Sequence, residues 1–173
     1  MKSQPETILL VDNGIFPNST LPVLHYKKAV KLPLLFPAAA LKKLFKLNNW
    51  GNNWKAGIFT FDHYHSLTHE VIGVYKGKTQ LQLGGDDGLV IDLEKGDILV
   101  IPAGVAHKNL GTETQVMCVG GYPEGKDYDM NFGKPGERPQ TDQNIALLKV
   151  PDTDPLAGVK SGVPVIWKAY DNF

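Results

Sequence analysis

Asp62-His63-Tyr64-His65-Ser66, with Glu70 shortly after it and His107 closing Pro102-Ala103-Gly104-Val105-Ala106-His107, is the stretch whose reading decides the fold. Imidazole and carboxylate side chains are both ligands for transition metals. In an extended chain, residues two apart point to the same face and lie about 6–7 Å apart along the strand. His63 and His65 therefore converge on one ion only from β-structure, and on a helix they diverge. Ser66-Leu67-Thr68 can turn the chain so that a strand from Glu70 to Tyr75 returns its first residue to the imidazoles. His107 follows a rigid Pro102-Ala103-Gly104 corner and joins the other three only if the intervening strands wrap into a barrel. The ligand chemistry thus implies a closed β-fold.

The hydrophobic pattern agrees. Short alternating segments are expected as strands at Gly57–His65, Glu70–Lys76, Thr79–Leu83, Leu89–Leu93, Ile98–Ile101 and Gln115–Gly121. Thr79, Leu81 and Leu83 alternate with Gln80 and Gln82, as in strands with one face in a core. Gly84-Gly85-Asp86-Asp87-Gly88 lacks the ligand spacing of a calcium loop and reads as a hairpin turn. Regular short strands of this kind favour a jelly roll, in a mainly all-β fold.

Two flanks frame this core. Residues 1–54 read as an N-terminal arm, with a strand at Leu24–Val30 and a short helix starting near Pro37. Leu41, Leu44, Phe45 and Asn48 fall on its inner stripe, and Lys42, Lys43 and Lys46 lie outside. The barrel core spans 57–122. Residues 123–173 form a Gly-, Pro- and Asp-rich tail that wraps the barrel, with a helical turn at Asp142–Leu148, strand character at Val163–Trp167 and Trp167 as its anchor. All 173 residues make one domain.

Composition excludes several classes. Eighteen basic and eighteen acidic residues balance, so no field draws nucleic acid or an anionic membrane. The run Ile8-Leu9-Leu10-Val11 is far too short to span a bilayer, and Pro33 and Pro37 interrupt Leu32–Leu41. Cys118 alone can form neither an internal disulfide nor a thiolate zinc site, and it reads as a small buried hydrophobe. A cytoplasmic location is expected. Gly120-Gly121-Tyr122-Pro123-Glu124-Gly125-Lys126-Asp127 nearly spells a phosphate-binding loop, but it ends in Asp where a Ser or Thr must ligate magnesium.

The spacing Gly57-x5-His63-x-His65-x4-Glu70-x6-Gly77 resembles the first cupin motif at every fixed position. Gly96-x5-Pro102-x-Gly104-x2-His107 resembles the second. One flank departs, since Gly111 stands where that motif often has Asn, and Asn109 lies nearby. Leu21-Pro22-Val23-Leu24, the Asn48–Trp54 segment, Leu83–Gly88, Gly121–Asp129 and Val150–Pro155 extend the similarity over nearly the whole chain, to bacterial YjlB-type single-domain cupins. The resemblance implies a double-stranded β-helix barrel with a metal at its centre, usually dimeric, and assigns no reaction. The Leu24–Val30 strand has no evident hairpin partner, so its edge is expected to pair with a second copy in a homodimer.

His63, His65, Glu70 and His107 are thus the expected ligands of one divalent transition metal, with Fe, Mn, Ni, Zn and Cu all compatible. Phe59 and Phe61 share the parity of His63, and Ile72 and Val74 that of Glu70. These four are expected to line an apolar pocket around the ion. His69 should face away from it, unless a distorted turn brings it beside the metal as a supporting group. His25 reads as structural. Trp50 and Trp54 are placed to cap the barrel mouth or to pack beside it. Two functions stay open: a metal-dependent enzyme of dioxygenase, isomerase or lyase type acting on a small organic molecule by Lewis-acid or dioxygen chemistry, or a non-catalytic module that binds or senses such a molecule. A storage barrel has no need of all four ligands.

Overall fold

The computed structural model describes residues 4–171. In chain order the elements are β1 (Glu6–Leu10), β2 (Ser19–Tyr26), α1 (Pro37–Leu47), β3 (Trp50–Gly51), β4 (Lys55–Ala56), β5 (Glu70–Leu83), β6 (Leu89–Glu94), β7 (Ile98–Ile101), β8 (His107–Asn109), β9 (Val116–Pro123), α2 (Gln140–Ala146) and α3 (Val163–Asp171). The strands form an antiparallel jelly roll organised on β5. Its first half pairs with β7 and β9, as in Glu70 opposite Ile101 and Ile72 opposite Gly120. Its second half pairs with β6 and β8, as in Leu83 opposite Leu89 and His107.

Glu70–Lys76 and Thr79–Leu83, expected as two strands, are thus one. The register against β9 shifts between Val74 and Lys76, and Gly77 takes φ +79, so the strand bends there and passes from one sheet to the other. The Gly84–Gly88 segment is the hairpin turn expected of it, between β5 and β6.

Gly57–His65 does not form the expected strand. Its backbone is shared between partners too far apart for a ladder: His63 exchanges hydrogen bonds with His107, Tyr64 exchanges them with Asn131, and the Phe59 carbonyl accepts from Asn109. The expected strand near residue 24 runs instead over Ser19–Tyr26, and it has neighbours on both sides. Glu6 of β1 lies opposite His25, and Val100 of β7 lies opposite Leu24. The open edge assumed for Leu24–Val30 is therefore closed by β1, which the sequence reading missed.

Packing is two-layered. Ile72, Val74, Leu81, Leu83, Leu99, Val116 and Cys118 fill the barrel interior. Cys118 is the buried hydrophobe expected of it, with burial pushing its thiol pKa up. On the outer face, Val71, Ile98, Val100 and Val119 are covered by Leu41 and Phe45 of α1 and by Val163 and Trp167 of α3. Lys42, Lys43 and Lys46 are exposed, as the sequence pattern required.

The C-terminal segment corrects another expectation. Val163–Trp167 is the start of a helix, not a strand. Gly162, at φ +72, turns the chain, and the Asp154 carboxylate accepts a hydrogen bond from the Val163 N–H at 3.0 Å at the helix start. Val163 and Trp167, four residues apart, then face the outer core together. The Trp167 indole N–H donates to the Pro22 carbonyl at 2.8 Å, which makes it the anchor expected of it. Among the described residues, no helix is long and apolar enough to cross a membrane.

Asp154 is fully buried and accepts from the Tyr26 hydroxyl at 2.6 Å and from the Leu156 and Ala157 N–H groups at 2.8 Å. Replacing one of its oxygens with an NH₂ group leaves buried donors facing a donor. Asp154→Asn should cost about 2–4 kcal/mol in urea unfolding, and Tyr26→Phe about 1 kcal/mol, both without a change in m-value. Equal midpoints for Asp154→Asn and wild type would remove this anchor from the account.

Candidate metal centre

The sequence holds three imidazoles in one place. One ring nitrogen from each of His63, His65 and His107 lies within 4.8 Å of the other two, and all three residues are buried. The doubly exchanged pairing of His63 with His107 brings their rings to 4.2 Å between centroids. His65, two residues on along the extended backbone, places its ring 5.9 Å from that of His63. The Pro102-Ala103-Gly104 corner delivers His107. Gly104 takes φ +92, and a Cβ there would lie 2.1 Å from the Asn18 carbonyl oxygen.

Each imidazole is oriented through its Nδ1. The partners are backbone carbonyls: Phe61 for His63 and Val105 for His107, both at 3.1 Å, and Asp129 for His65. Carbonyls only accept, so every Nδ1 carries the proton and the other nitrogen presents a lone pair inward. Glu70, first residue of β5, sets its Oε2 at 3.4 Å from the Nε2 atoms of both His65 and His107. Its Oε1 is committed elsewhere, accepting from the Trp54 indole N–H and the Tyr122 hydroxyl, each at 3.2 Å. Oε2 of Glu70 and Nε2 of His107 are both buried and have no hydrogen-bond partner.

Two acceptor atoms that face each other without a proton or cation between them are the signature of a cation site. The donor set fits a divalent transition metal: up to three neutral imidazoles, one carboxylate, and hydrogen bonds that fix each ring from behind. Electrostatics set His63 apart from His65. Burial, with the neighbouring His107 adding to it, pushes the His63 pKa down to about 3, so its ring is neutral. Burial works against a proton on His65 too, but the Glu70 carboxylate outweighs it and lifts that pKa. Burial would raise Glu70, yet His65 and His107 hold its carboxyl well below the usual carboxylate range.

A cavity of ≈ 160 Å³ opens onto this group, walled by Trp54, Ile58, Phe59, Ile72, Tyr122, Tyr128 and Met130 among others. Of the four expected pocket residues, Phe59 and Ile72 line it. Val74 is fully buried in the barrel interior, one strand repeat deeper than Ile72 and outside the cavity wall. Phe61 lies at the surface, 45% exposed, because the segment carrying it is not a regular strand and its parity does not hold.

His69 faces away, on the opposite side of β5. Its Nδ1 accepts from the Ala103 N–H at 3.0 Å and its ring lies 4.8 Å from that of Trp167, so these contacts are with the corner before His107 and with the tail. His25 is the structural residue expected, paired at 3.0 Å with the buried Asp97 carboxylate. Trp50 packs in the outer core, whereas Trp54 is part of the site.

Sequence reasoning missed Tyr122, Tyr128, Met130 and Asp129. The alternation Cys118, Gly120, Tyr122 along β9 was the available signal, since it carries Tyr122 onto the interior face. Gly120 belongs to the same design, because a Cβ there would lie 2.0 Å from the Trp54 ring. Tyr128 stacks on Tyr122 at 4.9 Å. Asp129 holds the histidine loop, its carboxylate accepting from the Ser66 and Leu67 N–H groups at 2.7 and 3.0 Å while its carbonyl accepts from the His65 Nδ1–H.

No family model matches the chain. The sequence is 34% identical over 168 residues to YjlB of Bacillus subtilis (strain 168), covering 96% of this chain and 99% of YjlB. The chain belongs to the YjlB family. Its jelly roll carries both cupin motifs at the residues quoted above, so the family's barrel is the cupin fold that the resemblance implied. Among solved structures, acireductone dioxygenase from Bacillus anthracis, with a cadmium ion in its active centre, aligns at a TM-score of 0.40 and 14% identity over 55% of this chain and 64% of that one. Recombinant pro-11S globulin of pumpkin aligns at a TM-score of 0.38 and 14% identity over 46% and 22%.

Burial holds His69 at a pKa of about 4, below the 6.5 of an unfolded histidine. Between these values the unfolded chain binds more protons than the folded one, so stability is full above pH 6.5 and falls as pH drops toward 4. The loss should reach about 3 kcal/mol for this residue. His69→Gln, which removes the titration, should flatten the slope of melting temperature against pH over that window. An unchanged slope would place His69 outside the account.

Proposed function

We propose that His63, His65, Glu70 and His107 hold one divalent transition metal, and that the adjoining cavity takes a small organic molecule on which the protein acts as a metal-dependent enzyme. The observation that carries this reading is the pair of buried, unpartnered acceptors, Glu70 Oε2 and His107 Nε2, inside a ring of imidazoles whose other nitrogens are all committed. When bound, the metal supplies Lewis-acid chemistry, polarising a ligand oxygen or lowering the pKa of bound water.

The chain's own residues do the rest. Ile58, Phe59, Ile72 and Met130 give the cavity apolar walls that exclude bulk water and strengthen electrostatic interactions inside it. At ≈ 160 Å³ the cavity limits the part of a ligand it encloses to about the size of a single ring. Tyr122 stays protonated, since burial and the adjacent Glu70 both raise its pKa. It therefore fixes Glu70 by donating to it and takes no proton.

One observation favours the second reading, a binding module without turnover. Beyond the four donors, the ionisable groups of the cavity are Tyr122 and Tyr128, and the Tyr122 hydroxyl is already engaged by Glu70 and Trp54. Among the described residues, the cavity thus has no carboxylate or imidazole beyond the four donors to serve as a general base.

His65→Ala should abolish stoichiometric metal in elemental analysis of purified protein. Tyr122→Phe, which removes a donor to Glu70 and an acceptor for the Trp54 indole N–H, should weaken metal affinity roughly 10–100-fold. Full metal content in His65→Ala protein would overturn the ligand assignment. Enzyme and binding module separate on product: a tight ligand recovered chemically unchanged after long incubation with metal-loaded protein, with and without oxygen, would end the enzyme reading.

A further inference from the structure

We propose that the ligand of this site carries a flat apolar body beyond its metal-binding head, and that Phe59, Phe61 and Phe132 form the shelf on which this body lies. The proposal rests on the reading of the site given above and adds the chemical class of the molecule it takes: an aryl-substituted small acid or carbonyl compound.

Three phenylalanines are exposed side by side at the cavity mouth, at 41% for Phe59, 45% for Phe61 and 38% for Phe132. Phe59 also lines the cavity, so the shelf begins inside the site. Its ring stacks on Phe61 with centroids 4.9 Å apart and planes 18° from parallel, and Phe61 meets Phe132 at 5.9 Å. Both inner rings also touch His63, Phe59 at 5.3 Å and Phe61 at 5.7 Å. A continuous aromatic path therefore leads from a metal-site imidazole to the surface.

Two constraints identify the occupant. The inner cavity, at ≈ 160 Å³, has room for a head group and at most about one ring, whereas the depression bordered by Phe61 and Phe132 outside it measures ≈ 540 Å³. A molecule that used both would place oxygen atoms inside and an apolar portion outside. Exposed aromatic faces gain most from another planar ring, in offset-stacked or edge contacts. The shelf is held rather than floppy: Asp62, next to Phe61, is paired at 2.7 Å with Lys108, which also reaches Asp86 at 2.6 Å. A contiguous apolar surface at a site mouth is where ligand contact is expected.

The test uses metal-loaded full-length protein and two probes that share a head, pyruvate and phenylpyruvate, titrated by calorimetry. Phenylpyruvate should bind at least roughly ten-fold more tightly, as one or two added aromatic contacts provide. Phe61→Ala and Phe132→Ala should each remove several-fold of that preference while leaving pyruvate affinity and metal content unchanged. Phe61→Leu, which keeps the bulk but not the ring, should fall between wild type and Phe61→Ala. Equal affinity for the two probes, binding of neither, or equal losses for both in the variants would overturn the shelf. So would conversion of an oligomer to a monomer by Phe61→Ala in light scattering, since the rings would then join copies of the chain. Elemental analysis of the same samples separates failure of the metal site: without metal, a persisting phenylpyruvate preference would keep the shelf, and its absence would end it.

Discussion

A carboxylate in a water-free interior must find charge and hydrogen bonds close by, and Glu70 is where this chain meets that demand. Its two oxygens divide the work. Oε1 takes the Trp54 and Tyr122 donors, while Oε2 faces His65 and His107 at 3.4 Å. Each partner comes from a different part of the chain: Trp54 from before the barrel, His65 from the irregular segment, His107 from the corner before β8, and Tyr122 from the end of β9. Placing this one carboxylate therefore brings four segments together. Removing Trp54 or Tyr122 takes away one of the two donors to its Oε1, a more serious defect than a lost surface ion pair.

β5 makes this possible because it serves both layers. Its inward residues build the site and interior, from Glu70 and Ile72 to Val74, and its outward Val71 packs beneath α1 and α3. Gly73 shows how tight the contact is, since a Cβ there would lie 2.8 Å from the Phe45 ring. The helices are thus more than a covering. They hold the strand that carries the carboxylate, and the shared burial of His69 against Trp167 ties the tail to the residue next to Glu70.

β6, β7, β9 and the two halves of β5, and the gathering of His63, His65 and His107, were legible because period-two alternation and motif spacing are local properties of the chain. Ile98–Ile101 matches the expected bounds, and the Pro37 helix starts where its proline set it. What escaped was settled by distant partners. Val163-Pro164-Val165-Ile166-Trp167 has the β-branched composition of a strand, but Gly162 and Asp154, with Trp167 buried behind, make it a helix. Gly57–His65 alternates correctly yet lacks a single partner long enough to form a ladder. β1 was passed over because its residues were weighed only against a membrane span. Tyr128 and Asp129 lie in a stretch of Gly, Pro and Asp with no period at all, and only the fold brings them to the site.

Asp129 stands 64 residues downstream of His65, whose ring it orients. During synthesis, all four donor side chains are joined to the chain before the carbonyl that fixes one of them. Orientation of the group is therefore a late event in the life of the nascent protein, and a chain cut short between His107 and Asp129 holds every donor without the part that aims His65. The segment after the barrel, poor in regular structure, serves as the closing step of assembly.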